Sequence, residues 1–258
     1  MAVVLFSKYQ RRYKIHKNRE SKKISKYHKT GAMGGGLQRV GGENDGGYVM
    51  AKPNPENNAT AISLGVSSYS PWDLEMANMG YKVLQYDGSI NKGPYNHPNI
   101  TFYKNFVGTK DSDDTITLQT IIKQNNINPN AHNILQCDIE NHEWDMLENI
   151  DLEMISSHFI QIIFEFHHCN PENHTKSQRR FCVLENINKY FTPIHVHFNN
   201  YGKIFYSKGL FLSDVFEVSY INNKLIESKE YKSGFCTIIG LDAPNSTNFP
   251  EIPVIFPK

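Results

Sequence analysis

AISLGVSSYSPWDLEMANMGYKVLQYD, residues 61–87, contains two apolar runs on either side of an amphipathic stretch. The runs at residues 61–66 and 82–87 have the length and composition typical of buried strands. Between them, Ser70 and Pro71 are suited to the N-cap and the first position of a helix. The order of strand, helix and strand predicts a crossover unit whose two strands lie parallel in one sheet.

The same alternation of apolar runs and amphipathic stretches continues along the chain. The late runs DVFEVSYI and GFCTIIGL, residues 214–221 and 234–241, are predicted as paired strands that close the edge of the sheet. The predicted fold class is α/β, with a Rossmann-like, doubly wound, mostly parallel sheet and an antiparallel edge. Further strands are predicted at residues 100–108, 132–140, 159–168 and 193–199, and helices at residues 117–126, 142–150 and 178–191.

Length and composition predict one domain with a tail. The chain has 258 residues, of which 39% are hydrophobic and 21% are charged, as in globular proteins. We expect the domain to cover residues 37–258 and the tail to cover residues 1–36. A formal net charge of +1 gives the molecule no strong overall field that would concentrate nucleic acid. The cysteines are widely spaced, which indicates free thiols in a reducing compartment rather than a zinc or dithiol site.

The tail is rich in cations. Residues 8–29 are dense in Lys, Arg, Tyr and His, and GAMGGG at residues 31–36 separates them from the domain. Clustered cations attract the phosphates of a substrate or of an anionic membrane; a solvated helix without a ligand is the alternative. Because the sequence has no apolar stretch of about 18 residues, we predict no transmembrane segment. The predicted location is cytoplasmic, with peripheral contact to the inner membrane through the tail.

The turn after residues 61–66 has features of a site for a nucleoside-bearing ligand. Gly65 lets a ligand approach the backbone, and Ser67 and Ser68 offer hydroxyls ahead of a helix N-terminus. Asp87 follows about twenty residues later, where a carboxylate can accept hydrogen bonds from ribose; a plain Asp-Gly turn is the alternative. The three-glycine dinucleotide fingerprint is missing, which argues against a nicotinamide cofactor.

Several stretches, in order, resemble the FkbM-like methyltransferases between about Gly41 and Pro244. The resemblance implies S-adenosylmethionine as methyl donor, a fold of the class I methyltransferase type, and a hydroxyl acceptor on a sugar or a polyketide-like molecule. Asn141 stands where the family block Asp-Ile-Glu-Gly-x-Glu has glycine. The matching stretches are RVGGENDGGYVM, SLGVSSYSPWDLEMANMG, KVLQYDGSI, LQCDIENHEWDML, IIFEFHH, HVHFNNYG, DVFEVSYI and LDAPN.

The resemblance also implies roles for single residues. Those expected to bind the donor are Gly65, Ser67, Ser68, Asp73, Asp87 and, near the adenine, Val107. Those expected to contact the acceptor are Asp45 and Tyr48 of the first stretch, which should fold over the site, and Asn199 and Asn200.

Methylation of an alcohol needs a catalyst because an alkyl hydroxyl is a poor nucleophile at neutral pH. Parallel strands end at one edge of a sheet, so we expect Asp138, Glu165, His167 and His197 to meet there. His167 and His197 are the candidate bases, since neutral imidazole can accept the hydroxyl proton, and Asp138 is the third candidate catalytic residue. Alternatively, Asp138, Glu165 and His167 bind magnesium, manganese or calcium, which acidifies the hydroxyl.

These patterns predict an S-adenosylmethionine-dependent O-methyltransferase that acts on a hydroxyl of a sugar or nucleotide sugar. Analogy with the family further indicates bacterial capsule or surface polysaccharide biosynthesis. Two other functions stay open: a nicotinamide-dependent oxidoreductase of similar architecture, and a non-enzymatic protein whose basic tail binds a polyanion. The predicted partner is a small sugar acceptor and no nucleic acid, and the sequence does not predict the oligomeric state.

Overall fold

The computed structural model describes residues 36–56, 58–207, 209–226 and 233–256. The predicted basic segment, residues 8–29, lies outside these ranges. Among the described helices, none is long and apolar enough to cross a bilayer.

The helices are α1 Pro71–Asn78, α2 Leu118–Gln124, α3 Glu143–Asn149, α4 Leu152–His158 and α5 His174–Tyr190, with a 3-10 turn at Asn223–Leu225. The strands are β1 Leu37–Val40, β2 Tyr48–Ala51, β3 Thr60–Leu64, β4 Lys82–Tyr86, β5 Ile100–Tyr103, β6 Phe106–Val107, β7 Thr115–Ile116, β8 Ile134–Cys137, β9 Gln161–Phe166, β10 Phe191–Phe198, β11 Ile204–Ser207, β12 Leu210–Ser213, β13 Phe216–Asn222, β14 Gly234–Phe235 and β15 Ile255–Phe256.

The central sheet has seven strands in the order β10-β13-β9-β8-β3-β4-β5. Strands β3, β4, β5, β8 and β9 pair in parallel, whereas β13 is antiparallel to both of its neighbours. Every residue of β3, β8 and β9 is buried, as expected for strands that are covered on both faces. The chain therefore has an α/β fold built on a mixed sheet, and the parallel part was predicted from residues 61–87.

Apolar side chains pack against both faces of the sheet. Ile62 of β3 belongs to a cluster that includes residues of α2, α3 and α5. The neighbouring Ala61 belongs to a second cluster, with Trp72 and Met76 of α1 and Met50 of β2. Since consecutive side chains of a strand point to opposite faces, the two clusters lie on opposite sides of the sheet. The β1–β2 hairpin is thus packed on the same face as α1.

The prediction that residues 234–241 form a strand at the sheet edge is wrong. Strand β14 covers only the first two of these residues and pairs with β15 in a separate small sheet. Residues 238–242 instead form a turn, in which Gly240 has a φ of +87°. The physical reason is that β13 already has β9 on one side and β10 on the other, so no further strand can pair with it.

The sequence patterns do not predict α4 or the hairpins β1–β2 and β11–β12. Helix α4 has only seven residues, too few for a clear apolar period. Its start nevertheless carries a local signal, because the Asp151 carboxylate accepts hydrogen bonds from the backbone N–H groups of Glu153 and Met154.

Candidate functional site

A cavity of about 490 Å³ opens at the carboxyl ends of the parallel strands. Gly65, Asp87 and Asp138 line it, and they directly follow β3, β4 and β8. Because β3 lies between β4 and β8 in the sheet, the three strand ends converge. The volume lies within the roughly 300–1,000 Å³ of small-molecule sites. The structure thus brings together three of the residues expected at the site.

Gly65 forms the floor of this cavity. Its φ is +81°, in the left-handed region that favours glycine. A β-carbon at this position would lie 1.6 Å from the carbonyl oxygen of Asp138. The backbone is fixed on both sides, since Gly65 N–H donates to the Tyr86 carbonyl and Asp138 N–H donates to the Leu64 carbonyl. Any residue with a β-carbon at position 65 would therefore displace the end of the neighbouring strand β8.

Asp87 presents an oriented carboxylate to the cavity. Its Oδ2 accepts a hydrogen bond of 2.8 Å from the Val66 N–H. Its Oδ1 accepts bonds of 2.7 Å and 2.6 Å from the backbone N–H and the hydroxyl of Ser89. A carboxylate offers about four acceptor positions, so Asp87 can accept a further bond from a ligand hydroxyl.

The far wall of the cavity is apolar. Phe106, which is 49% exposed, lines it together with Val107 and Gly108. Flat apolar surfaces of this kind pack well against a purine ring. Val107, expected near an adenine, is therefore placed on a suitable wall.

Three residues expected at the donor lie outside the cavity wall. Ser67 and Ser68 are exposed on the loop that follows Gly65. Asp73 is fully buried, and its Oδ2 accepts hydrogen bonds from the Ser70 hydroxyl and the Gln85 amide. Burial raises the pKa of Asp73. Asp73 thus connects α1 to β4. Direct contact of Ser67, Ser68 or Asp73 with a donor stays a prediction.

A histidine held by a glutamate lies beside two acidic residues of the cavity wall, Asp138 and Glu140. His167 follows β9, and its Nδ1 lies 2.9 Å from Oε1 of Glu143. Glu143 is fully buried and also accepts a hydrogen bond from the Ile139 N–H. The carboxylate fixes the imidazole ring, so that Nε2 is directed toward Asp138 and Glu140 in the cavity wall.

Three carboxylates surround His167 Nε2. The distances are 3.7 Å to Asp138 Oδ1, 3.5 Å to Glu140 Oε2 and 4.0 Å to Glu165 Oε1. Burial, with the charges of Glu143 and Glu140, raises the pKa of Asp138 to about 7, although His167 acts against this shift. Burial alone would lower the pKa of His167, but the hydrogen bond and charge of Glu143 outweigh it and the pKa is raised.

Two residues expected at the acceptor lie against these carboxylates. Asn199 Nδ2 donates a hydrogen bond of 2.7 Å to Glu165 Oε1, deep in the structure. Burial and the charge of Asp138 raise the pKa of Glu165 well above its ordinary value. The buried Tyr48 hydroxyl accepts a bond of 3.1 Å from Gln136, and burial with the same carboxylates raises its pKa.

His197 lies in a different buried network. Its Nδ1 is 3.3 Å from Glu217 Oε2, and its Nε2 is 3.1 Å from Glu251 Oε1. Burial alone would lower the pKa of His197, but the two glutamates raise it to about 10. A protonated imidazole has no lone pair to accept a hydroxyl proton, so His197 is unsuited to the predicted role of base. It instead connects β10 and β13 to the C-terminal segment.

We expect the stability of the fold to decline between about pH 6.5 and pH 10 because of His197. Its pKa of about 10 in the fold exceeds the ordinary 6.5, so its charged form is the one that the fold favours. This stabilisation is complete below the ordinary pKa and is lost as pH rises through about 10. Thermal unfolding followed across this range should show a flatter decline for His197→Gln and an unchanged one for the exposed His142→Gln. An equally steep decline in His197→Gln would contradict this role.

The loop between β1 and β2 is tied to the C-terminal segment. Asn245 donates hydrogen bonds to Asp45 Oδ1 at 3.1 Å and to Glu217 Oε1 at 2.7 Å. Asn200 donates to the Ser246 carbonyl and accepts from the Ser246 N–H. The amide of Asn200 is therefore engaged within the chain, whereas Asp45 is exposed. Of these two residues expected at the acceptor, Asp45 is the one accessible to it.

The turn after β8 has a left-handed backbone at two residues. Glu140 and Asn141 have φ values of +53° and +82°. Asparagine tolerates this region better than most other residues, so the departure from the family's glycine keeps the turn. The turn places Glu140 in the wall of the main cavity. On its other side, Asn141 lines a second, polar cavity of about 300 Å³ with His168 and Lys176.

Glu140 and Glu143 are the site residues that the sequence patterns do not single out. Both belong to DIENHE, residues 138–143, which lies within one of the stretches that resemble the family. The available signal is the recurrence of three acids directly after a buried strand. Carboxyl ends of parallel strands are where sites form, so this recurrence indicates a functional cluster.

A family model described as "Methyltransferase FkbM domain" matches residues 37–205. The matched region begins at β1 and contains Gly65, Asp87, Asp138 and His167, with the whole cavity described above. A comparison with curated proteins gives no significant match.

Proposed function

The chain belongs to the FkbM methyltransferase family, and from this premise we propose that it transfers a methyl group from S-adenosylmethionine to a hydroxyl oxygen of a sugar. The observation that carries the proposal is the cavity in which Gly65, Asp87 and Asp138 meet beside His167. This arrangement supports a donor site next to a proton-accepting group. Analogy with the family alone points to surface polysaccharide biosynthesis.

The proposed fold type is that of the class I methyltransferases, a doubly wound, Rossmann-like sheet. Its support is the strand order, in which the chain moves outward from β3 to β4 and β5, and then crosses to β8 and β9 on the other side. In such sheets a ligand binds at the point where the direction of winding reverses. Here that point lies between β3 and β8, where Gly65 and Asp138 touch.

The residues present fit the donor. S-adenosylmethionine supplies an electrophilic methyl group on its sulfonium. Gly65 allows the ends of β3 and β8 to meet at the cavity, Asp87 has acceptor capacity for a ribose hydroxyl, and Val107 belongs to a wall suited to adenine.

The acceptor side consists of hydrogen-bonding groups. Asp45, Glu140, Glu165 and Asn199 can accept or donate bonds to hydroxyls, which supports a polyhydroxylated acceptor. Asp138 and His167 are the proposed catalytic residues because they adjoin the cavity where the hydroxyl must lose its proton. Two routes are available at Nε2: the imidazole takes the proton itself, or it helps to hold a divalent cation that acidifies the hydroxyl.

We expect Asp87→Asn to weaken the binding of S-adenosylhomocysteine by about 10-fold or more, since a hydrogen bond to a charged group contributes about 1.5–3 kcal/mol. Isothermal titration calorimetry measures this affinity. Asp113→Asn, an exposed acid outside the cavity, is the matched control and should bind as the wild type does. Unchanged affinity in Asp87→Asn, or tighter binding of NAD than of S-adenosylhomocysteine by the wild type, would contradict the donor assignment.

The acceptor class is tested by transfer from a methyl-labelled donor to a panel of free sugars and nucleotide sugars. A labelled product that resists mild alkali identifies an ether rather than an ester. If the chain binds S-adenosylhomocysteine but labels no sugar, the acceptor assignment fails while the methyltransferase assignment stands.

A further inference from the structure

We infer that Asp138, Glu140 and His167 form a binding site for one divalent cation at the acceptor side of the cavity. The inference rests on the proposed methyl transfer and selects the second of the two routes. An acceptor hydroxyl bound to such an ion is more acidic than a free one. The set differs from the one expected from sequence, in which Glu165 stood in place of Glu140.

The distances between the three side chains suit atoms that bind one metal ion and are too long for hydrogen bonds. One ligand atom from each residue lies within 4.8 Å of the other two. The distances from Nε2 to Glu140 and Asp138, 3.5 Å and 3.7 Å, exceed hydrogen-bond length. Atoms that each lie about 2.0–2.3 Å from one ion are roughly 3–4 Å apart. A cation between these atoms therefore needs only small side-chain movements.

The buried Oδ1 atom of Asp138 lacks a partner. It makes no hydrogen bond among the described residues. His167 is only 9% exposed, and its Nε2 lies 3.7 Å from this oxygen. Buried polar atoms are nearly always satisfied, so an unpartnered oxygen that faces an imidazole nitrogen indicates a place for a ligand. A cation between the two atoms would bind both.

Glu143 holds His167 in the orientation that such a site needs. Histidines that bind metals usually donate their other ring N–H to a carboxylate, which fixes the tautomer and the ring orientation. The bond of 2.9 Å between His167 Nδ1 and Glu143 has this form. It leaves the lone pair of Nε2 directed toward Asp138 and Glu140.

Glu140 completes the set better than Glu165. Glu165 Oε1 lies farther from Nε2, at 4.0 Å, and already accepts a bond from Asn199. Glu140 is exposed, so it can close on an ion without breaking a buried contact. Two carboxylates with one imidazole suit manganese or magnesium, and the remaining positions on the ion are open to hydroxyls of a sugar.

The cation site is tested with Mn²⁺ and the full-length chain after removal of metal by a chelator. The paramagnetic resonance signal of free Mn²⁺ decreases when the ion binds, which gives affinity and stoichiometry without any activity measurement. We expect one bound ion in the wild type and an affinity at least tenfold lower in Glu140→Gln. Glu172→Gln removes an exposed acid elsewhere and should not change the affinity. Equal affinity in the wild type and Glu140→Gln, or no saturable binding at millimolar Mn²⁺, would overturn the inference.

A chelator assay separates this inference from the proposed function. If methyl transfer falls at least tenfold in the chelator and returns with Mn²⁺ or Mg²⁺, the cation takes part in the reaction. Full activity in the chelator would overturn the cation inference and leave methyl transfer by His167 as base. If the wild type does not bind S-adenosylhomocysteine, the proposed function is wrong, whatever the Mn²⁺ titration shows.

Discussion

Gly65→Ala reduces the affinity for S-adenosylhomocysteine by at least about 100-fold and lowers the melting temperature. The new β-carbon would lie 1.6 Å from the Asp138 carbonyl, far inside van der Waals contact. The ends of β3 and β8 must therefore separate, although backbone hydrogen bonds hold them together. The left-handed backbone adds about 1–2 kcal/mol of strain for any residue with a β-carbon. Calorimetry gives the affinity, and thermal unfolding gives the stability.

Gly240→Ala is the matched control for this substitution. Gly240 also has a left-handed backbone, with a φ of +87°, but no atom lies within 4 Å of its β-carbon position. The control variant has the same backbone strain but no steric clash. It should therefore lose a little stability and retain its affinity for S-adenosylhomocysteine. If Gly65→Ala binds S-adenosylhomocysteine as tightly as Gly240→Ala does, the cavity is not the donor site.

His167→Ala lowers the turnover number by at least about 100-fold, the lower end of the range for loss of a general base or a metal ligand. Its effect on S-adenosylhomocysteine affinity should stay within a few-fold, because the carboxylates within 4.0 Å of the imidazole nitrogens do not include Asp87, the proposed ribose acceptor. Steady-state kinetics and calorimetry on the same preparation separate the two effects.

The neighbouring His168 provides the control for this prediction. It is exposed and has a φ of +56°, so His168→Asn introduces a residue that suits the same backbone. We expect it to retain most of the wild-type turnover. Equal turnover in His167→Ala and the wild type would remove His167 from the chemistry under both routes.

The features that the sequence predicted correctly are local ones. The strand-helix-strand unit of residues 61–87 is encoded by neighbouring residues, and strand ends in a parallel sheet share one edge whatever lies between them. For this reason Gly65, Asp87 and Asp138 were expected together and lie in one cavity. His167 was placed at the same rim by the same rule, two residues after Glu165 on β9.

The features that the sequence did not predict depend on partners far along the chain. His197 has the strand position of a base, but Glu217 and Glu251 keep it charged, and neither is near it in sequence. Asp73 follows the loop expected to bind the donor, yet its side chain is buried and accepts a hydrogen bond from Gln85. Charge state and burial are set by tertiary packing, which periodicity does not report.

Polar contacts connect the C-terminal segment to the region that matches the family, so the two are not independent modules. The family match ends at residue 205, whereas Asn245 holds Asp45 and Glu251 holds His197 from well beyond that boundary. A chimera that exchanged the matched region alone would leave Asp45 and His197 of one parent opposite the C-terminal segment of the other. The positions of Asp45 and His197 therefore depend on both parts of the chain, and evolution or engineering has to exchange the two parts as a pair.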